Sequence, residues 1–189
     1  MATRRKNRNQ QTLILLVIGA GLVLVAVAAL LALPKAQEQV AAQDISAIPA
    51  AVNFPAPDVQ LTNLDGQPVA LSDFYGNVIL YNAWATWCPP CKAEMPTLQA
   101  YYEEYKENGF VIVAIEDGQP VDEVRAFVDE YNLTFPVWPD PEWKATTAFR
   151  TENLPTSFVI DRDGTVRLTW TGAISRAMLE QYVTPLLKQ

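Results

Sequence analysis

The stretch Asn77-Val78-Ile79-Leu80-Tyr81-Asn82-Ala83-Trp84-Ala85-Thr86-Trp87-Cys88-Pro89-Pro90-Cys91-Lys92-Ala93-Glu94-Met95-Pro96 carries three signals in sequence. From Val78 to Trp84 it is apolar at nearly every position, the pattern of a strand buried on both faces. From Pro89 onward it reads as a helix, which runs to Asn108 and stops at Gly109. Between the two, where strand gives way to helix, stand Cys88 and Cys91.

Cysteines three residues apart at a helix start can close a small disulfide ring. Cys88 lies where unpaired helix N–H groups and the helix dipole favour negative charge. A thiol placed there has a lowered pKa and is rich in thiolate near neutral pH. The thiolate attacks a substrate disulfide, and Cys91, one turn further in and more shielded, then attacks Cys88 and releases the reduced substrate. Pro89 and Pro90 remove backbone donors and stiffen the ring, which tunes its potential. The alternative is a purely stabilising disulfide in an oxidising compartment. Closing so short a loop constrains the unfolded chain little, so reactivity explains the placement better.

Outward from this centre, strand and helix alternate. Val59 to Thr62 and Val69 to Leu71 pair across a turn at Asp65-Gly66. Phe110 to Ile115 reads as a second buried strand. Val121 to Tyr131 is an amphipathic helix, with Val124, Phe127, Val128 and Tyr131 at helical spacing. Glu142 to Phe149 is a short helix candidate. Ser157 to Ile160 and Thr165 to Trp170 form a hairpin about Asp161-Arg162-Asp163-Gly164. Ser175 caps a last helix to about Leu187. Strands separated by helices predict parallel pairing, and the late hairpin an antiparallel edge. The fold class expected is α/β, a mixed central sheet with helices on both faces.

The N-terminal third is of another kind. Arg4, Arg5, Lys6 and Arg8 make the first 11 residues basic, and no charge occurs from Asn9 to Pro34. Residues 12–33 are almost wholly apolar, and about 22 residues at roughly 1.5 Å each span a hydrocarbon core. We read a transmembrane signal anchor over 12–33, with a cytoplasmic basic tip at 1–11 and the rest of the chain outside. A cleaved signal peptide is the alternative, with a small-residue site near Val40-Ala41-Ala42, although its apolar region would be shorter. Residues 34–53, rich in Ala, Gln and Pro, read as a linker. Residues 54–189 form the remaining domain, one core's worth.

The composition excludes several chemistries. The 189 residues include no histidine and 2 cysteines. A Ser-His-Asp triad, a histidine metal ligand and a haem-attachment motif are absent, and two cysteines hold no four-thiolate metal site. The net charge of −7, with 19 acids against 9 bases in residues 54–189, argues against nucleic acid.

The stretch from Ala83 to Pro96, together with Asn153-Leu154-Pro155-Thr156-Ser157-Phe158-Val159-Ile160-Asp161 and Gly164, resembles the membrane-anchored extracytoplasmic thiol-disulfide oxidoreductases of the thioredoxin superfamily, the TlpA/ResA type. The resemblance covers roughly residues 54–189 and extends to the anchor-plus-linker layout. It implies a thioredoxin-like fold preceded by one transmembrane helix, in a bacterial cell membrane with the N-terminus cytoplasmic. Cys88 matches the attacking cysteine and Cys91 the resolving one. Pro155 matches a cis-proline facing the pair, whereas its local sequence alone allows an ordinary trans proline. The resemblance places Trp87, Pro89, Pro90, Leu154 and Pro155 at the substrate, with Leu154 backbone groups free to pair with a substrate strand. It makes Glu94 a group that accepts or returns the thiol proton; the alternative is a solvated glutamate favoured by the helix dipole. Cytoplasmic thioredoxins carry a buried aspartate six residues before the first cysteine. Asn82 stands there and does not titrate, which shifts proton handling to Glu94 or, less directly, Glu116. Pro96 should kink its helix. Trp138 and its neighbouring prolines either line the same edge or sit in a buried loop.

The resemblance further implies reduction of protein disulfides, such as those of apocytochrome c in cytochrome c maturation. Electrons would come from a membrane thiol donor to a monomer with no metal and no cofactor beyond the Cys88–Cys91 disulfide. Competing readings are a disulfide-forming oxidant, a thiol peroxidase, a copper-binding maturation factor, and a binding module with a structural disulfide. The peroxidase chemistry wants a Thr at position 85, which is Ala; the copper factor wants a wider cysteine spacing and a histidine.

Overall fold

The computed structural model describes residues 48–188. Its strands are β1 (Ala50–Pro55), β2 (Gln60–Thr62), β3 (Pro68–Ala70), β4 (Val78–Trp84), β5 (Phe110–Glu116), β6 (Val137–Pro139), β7 (Thr156–Ile160) and β8 (Thr165–Thr171). Its helices are α1 (Pro89–Tyr105), α2 (Val121–Tyr131), α3 (Lys144–Ala148), α4 (Arg176–Met178) and α5 (Thr184–Leu187). Six strands form one sheet in the order β1-β8-β7-β4-β5-β6, and β2 and β3 form a separate hairpin.

All seven residues of β4 and all seven of β5 are buried, because the sheet is covered on both faces. Val78, Leu80 and Trp84 join one core with Met95, Leu98 and Tyr101 of α1, Phe127 of α2 and Leu179 and Val183 near the C-terminus. Ile79, Tyr81 and Ala83 point the other way, into a core with Leu71, Ala145, Phe149 and Phe158. The period of two along β4 thus divides the molecule into two apolar layers. β4, β5 and β6 run parallel through the α1 and α2 crossovers. The sheet is therefore mixed, with helices on both faces, as the alternation predicts.

Several boundaries and one adjacency differ from the sequence expectation. The predicted antiparallel edge is internal: β7 lies between β8 and β4, antiparallel to both. β8 is in turn covered by β1, which begins inside the segment read as linker. β1 is held by main-chain bonding to β8, and its Ala- and Pro-bearing sequence shows no strong apolar period. Helix α3 starts two residues later than expected, because Trp143 adopts a left-handed conformation (φ 54°) before it. The terminal helix is interrupted by a π turn at Leu179–Val183. Pro185, which has no N–H, stands in the next turn and breaks an α-helical ladder there. Helix α1 continues through Pro96. Trp138 belongs to β6 and is buried, with its ring 6.0 Å from that of Phe74.

Among the described residues no helix is long and apolar enough to cross a membrane. The predicted anchor at 12–33, the basic tip before it and the linker as far as residue 47 lie outside the described residues.

Candidate active site

The end of β4 delivers the chain into a tight turn. The Cys88 N–H donates to the Ala85 carbonyl at 3.1 Å, and Lys92 N–H closes the first helical bond on the Cys88 carbonyl, also 3.1 Å. Cys88 is the N-cap of α1, with extended φ and ψ of −84° and 110°. Pro89 and Pro90 follow at the first helical positions, where an N–H would have no intrahelical partner. The Cys88 Sγ accepts the Cys91 N–H at 3.3 Å, taking the place of a capping oxygen. Cys88 and Cys91 form a disulfide with a Cα–Cα distance of 5.3 Å. Cys88 keeps a 3% exposed surface while Cys91 has none. The neighbours Trp87, Pro89 and Pro90 are exposed, Trp87 to 60%.

Beneath the pair lies a buried polar network. Glu94, on the turn of α1 after Cys91, is 2% exposed. The solvated alternative for this glutamate is thereby excluded. Its Oε1 accepts from Asn82 Nδ2 at 2.9 Å, and its Oε2 accepts the Ile174 N–H at 2.8 Å. The same Asn82 nitrogen donates to Ser157 Oγ at 2.9 Å, across the paired positions of β4 and β7. Burial pushes the Glu94 pKa up to about 7, opposed by the Ile174 and Asn82 donors that favour the charged form. Ser157 and Ile174 were not expected at the site. Ile174 contributes only a backbone N–H, so its side chain carries no signal of the role.

Glu116 ends β5, and its Oε1 accepts the Thr86 N–H at 3.4 Å, in the turn that leads to Cys88. It is fully buried, and burial pushes its pKa up to about 7 as well. It is thus more than a strand-end surface charge. Trp84, paired with it in register, is core.

The Leu154–Pro155 peptide bond is cis, the isomer the resemblance implies. The Ala83–Thr156 pairing of β4 with β7 puts Pro155 just past the ladder, at the end of the sheet where β4 leads to Cys88. Pro155 is buried, and its carbonyl accepts the Gly172 N–H at 2.8 Å. The half-buried Leu154 makes no backbone hydrogen bond among the described residues. Among those residues no cluster of acidic or sulfur side chains could hold a metal ion.

Residues 52–169 match the AhpC/TSA family. The thiol-disulfide oxidoreductase ResA of Geobacillus kaustophilus is 38% identical over 133 residues, covering 70% of this chain and 76% of that protein. ResA of Oceanobacillus iheyensis is 41% identical over 139 residues, 71% of this chain and 72% of its own length. A solved structure of a putative thiol:disulfide interchange protein DsbE from Chlorobium tepidum matches with a TM-score of 0.67 at 32% identity. It covers 71% of this chain and 96% of its own. A putative thioredoxin from Neisseria meningitidis matches with a TM-score of 0.65, also at 32% identity, over 71% of this chain and 90% of its own.

Proposed function

We infer, from the premise that this chain belongs to the AhpC/TSA family and is a thiol-disulfide oxidoreductase of the ResA/DsbE type, that it reduces protein disulfides outside the cytoplasm. The observation that carries the direction of attack is the placement of Cys88. It caps α1 and has the pair's only exposed surface, while Cys91 is enclosed.

In the reduced protein the Cys88 thiolate attacks one sulfur of a substrate disulfide. A mixed disulfide forms and the other substrate sulfur leaves as a thiolate. Cys91 then loses its proton and attacks the Cys88 sulfur. The Cys88–Cys91 bond forms, the mixed disulfide breaks, and the second substrate sulfur leaves. Two electrons pass to the substrate, and an external thiol donor restores the dithiol. No metal or organic cofactor takes part. Glu94, one turn beyond Cys91 and with a pKa near neutrality, is suited to take the Cys91 proton. Trp87, Pro89 and Pro90 offer an exposed apolar rim, and the free backbone groups of Leu154 offer a substrate strand two hydrogen bonds.

The basic tip and apolar stretch of the N-terminal third support a single-pass anchor that holds the domain outside a bacterial membrane. Apocytochrome c, kept reduced before haem attachment, is the substrate this layout suits, with a membrane thiol carrier as donor and the protein acting as a monomer.

Equilibration with glutathione separates reduction from oxidation. A potential at or below about −200 mV supports the reductase reading. A value near about −120 mV would replace it with a disulfide-forming oxidant.

A further inference from the structure

We propose that Glu116 is a positioning residue for thiol-disulfide exchange: its two carboxylate oxygens tie the approach to Cys88, at Thr86, to the loop between β5 and α2, at Gln119. The inference rests on the oxidoreductase reading and is independent of the role given to Glu94.

The geometry follows from the register. β4 and β5 end together at the Trp84–Glu116 pair, and the period of two from Ile112 and Ala114 turns the Glu116 side chain to the face that α1 covers. There Oε1 accepts the Thr86 N–H at 3.4 Å and Oε2 accepts the Gln119 N–H at 2.9 Å. The Glu116 carbonyl accepts the Asp140 N–H at 2.8 Å and the Gly118 N–H at 3.2 Å, which anchors the strand end itself. A buried carboxylate is costly unless its oxygens are partnered. Both partners here are main-chain donors of loops, one of them two residues before Cys88, and no Lys or Arg pairs with Glu116 among the described residues. Thr86 stands two residues before Cys88, and the Cys88 N–H is held by the Ala85 carbonyl. A shift of Thr86 therefore moves Trp87 and the sulfur together.

The charged groups facing Glu116 are all acidic: Asp117 beside it and Glu123 on α2. From the turn after β4 its hydrogen-bond partner is the Thr86 N–H. Burial and these two like charges hold its proton to near neutral pH, so the tie is strongest above about pH 7 and loosens below it.

The test uses the full-length protein. In Glu116→Gln one acceptor becomes an NH2 donor, so one of the two ties is lost together with the charge. In Glu116→Asp the charge stays but the reach is one methylene short. We expect Glu116→Gln to change the pH profile of Cys88 alkylation in the reduced protein, removing an inflection near pH 7. We expect both variants to slow reduction of a disulfide peptide by about tenfold, as displaced reacting groups do. A second measurement needs no variant: the Thr86 and Gln119 amide proton shifts in wild type should titrate together between pH 5 and 8. Unchanged alkylation profiles and exchange within twofold of wild type, or Thr86 and Gln119 amides that do not titrate together, would overturn the proposal. Absence of exchange in wild type would instead overturn the oxidoreductase reading on which it stands.

Discussion

Asn82 Nδ2 donates to Glu94 Oε1 at 2.9 Å across the β4–α1 interface, so a side chain that cannot titrate fixes one that can. The amide also holds Ser157 Oγ on β7, which makes it the link between the sheet and the helix that carries the cysteines. Removing it in Asn82→Ala leaves Glu94 with the Ile174 N–H alone. Because the Asn82 bond stabilises the carboxylate, the Glu94 pKa should rise above its value of about 7. The cost in stability should be about 1–3 kcal/mol. Carboxyl carbon NMR through pH 5–9 reads the first and thermal unfolding the second; a lowered Glu94 pKa contradicts the assignment.

The same carboxyl fixes a sign for pH dependence. Its folded-state pKa, about 7, lies above the ordinary 4.5, so the folded protein holds this proton more tightly than the unfolded chain. That stability is fully present below about pH 4.5 and is lost as pH rises through about 7. The difference corresponds to roughly 3 kcal/mol. Glu116 contributes a decline over the same window. Denaturant unfolding of the oxidised protein at pH 5 and pH 8 should show the lower stability at pH 8. Glu94→Gln should flatten the slope without abolishing it.

Asp140 gives a contrasting prediction. Its buried carboxylate accepts N–H bonds from Lys144 at 2.8 Å, Ala145 at 2.9 Å and Thr146 at 3.2 Å. It therefore caps α3 from outside the redox turn. Asp140→Ala should cost about 2 kcal/mol and lower Tm by roughly 4–8 °C. Disulfide exchange measured well below that Tm should remain near the wild-type rate.

Gly164 in the β7–β8 hairpin has φ +82°, and a Cβ there would meet the Tyr75 ring at 2.8 Å. Gly164→Ala combines backbone strain of about 1–2 kcal/mol with that clash. Combining it with Tyr75→Ala should recover the steric part and leave the backbone part. Urea unfolding of the two single variants and the double variant separates them; full recovery would show that φ costs nothing at this turn.

What the sequence makes legible is what is local. β4 and β5 announce themselves as nearly continuous apolar runs, and the Cys88–Cys91 site as a spacing at a helix start. β1 is hidden because an edge strand bonds through its backbone, which Ala50 and Ala51 supply as well as any residue. β6 is three residues that follow Pro136 and end on Pro139, too short for any period. The place of the β7–β8 hairpin inside the sheet depends on pairings remote in the chain. So do the partners of Glu94: Ile174 lies 80 residues away and acts through its main chain. Glu94 was visible as a candidate, whereas its burial was a tertiary outcome.

The central claim is an order of events, Cys88 first and Cys91 second. It is tested by mixing reduced Cys91→Ser and Cys88→Ser proteins with a disulfide-bonded peptide and mapping adducts by mass spectrometry. The account predicts a stable mixed disulfide at Cys88 in the first variant and almost none in the second. Wild type should release both peptide thiols and end with the Cys88–Cys91 disulfide. Capture at Cys91 in the Cys88→Ser protein at a rate equal to that of Cys88 would contradict it.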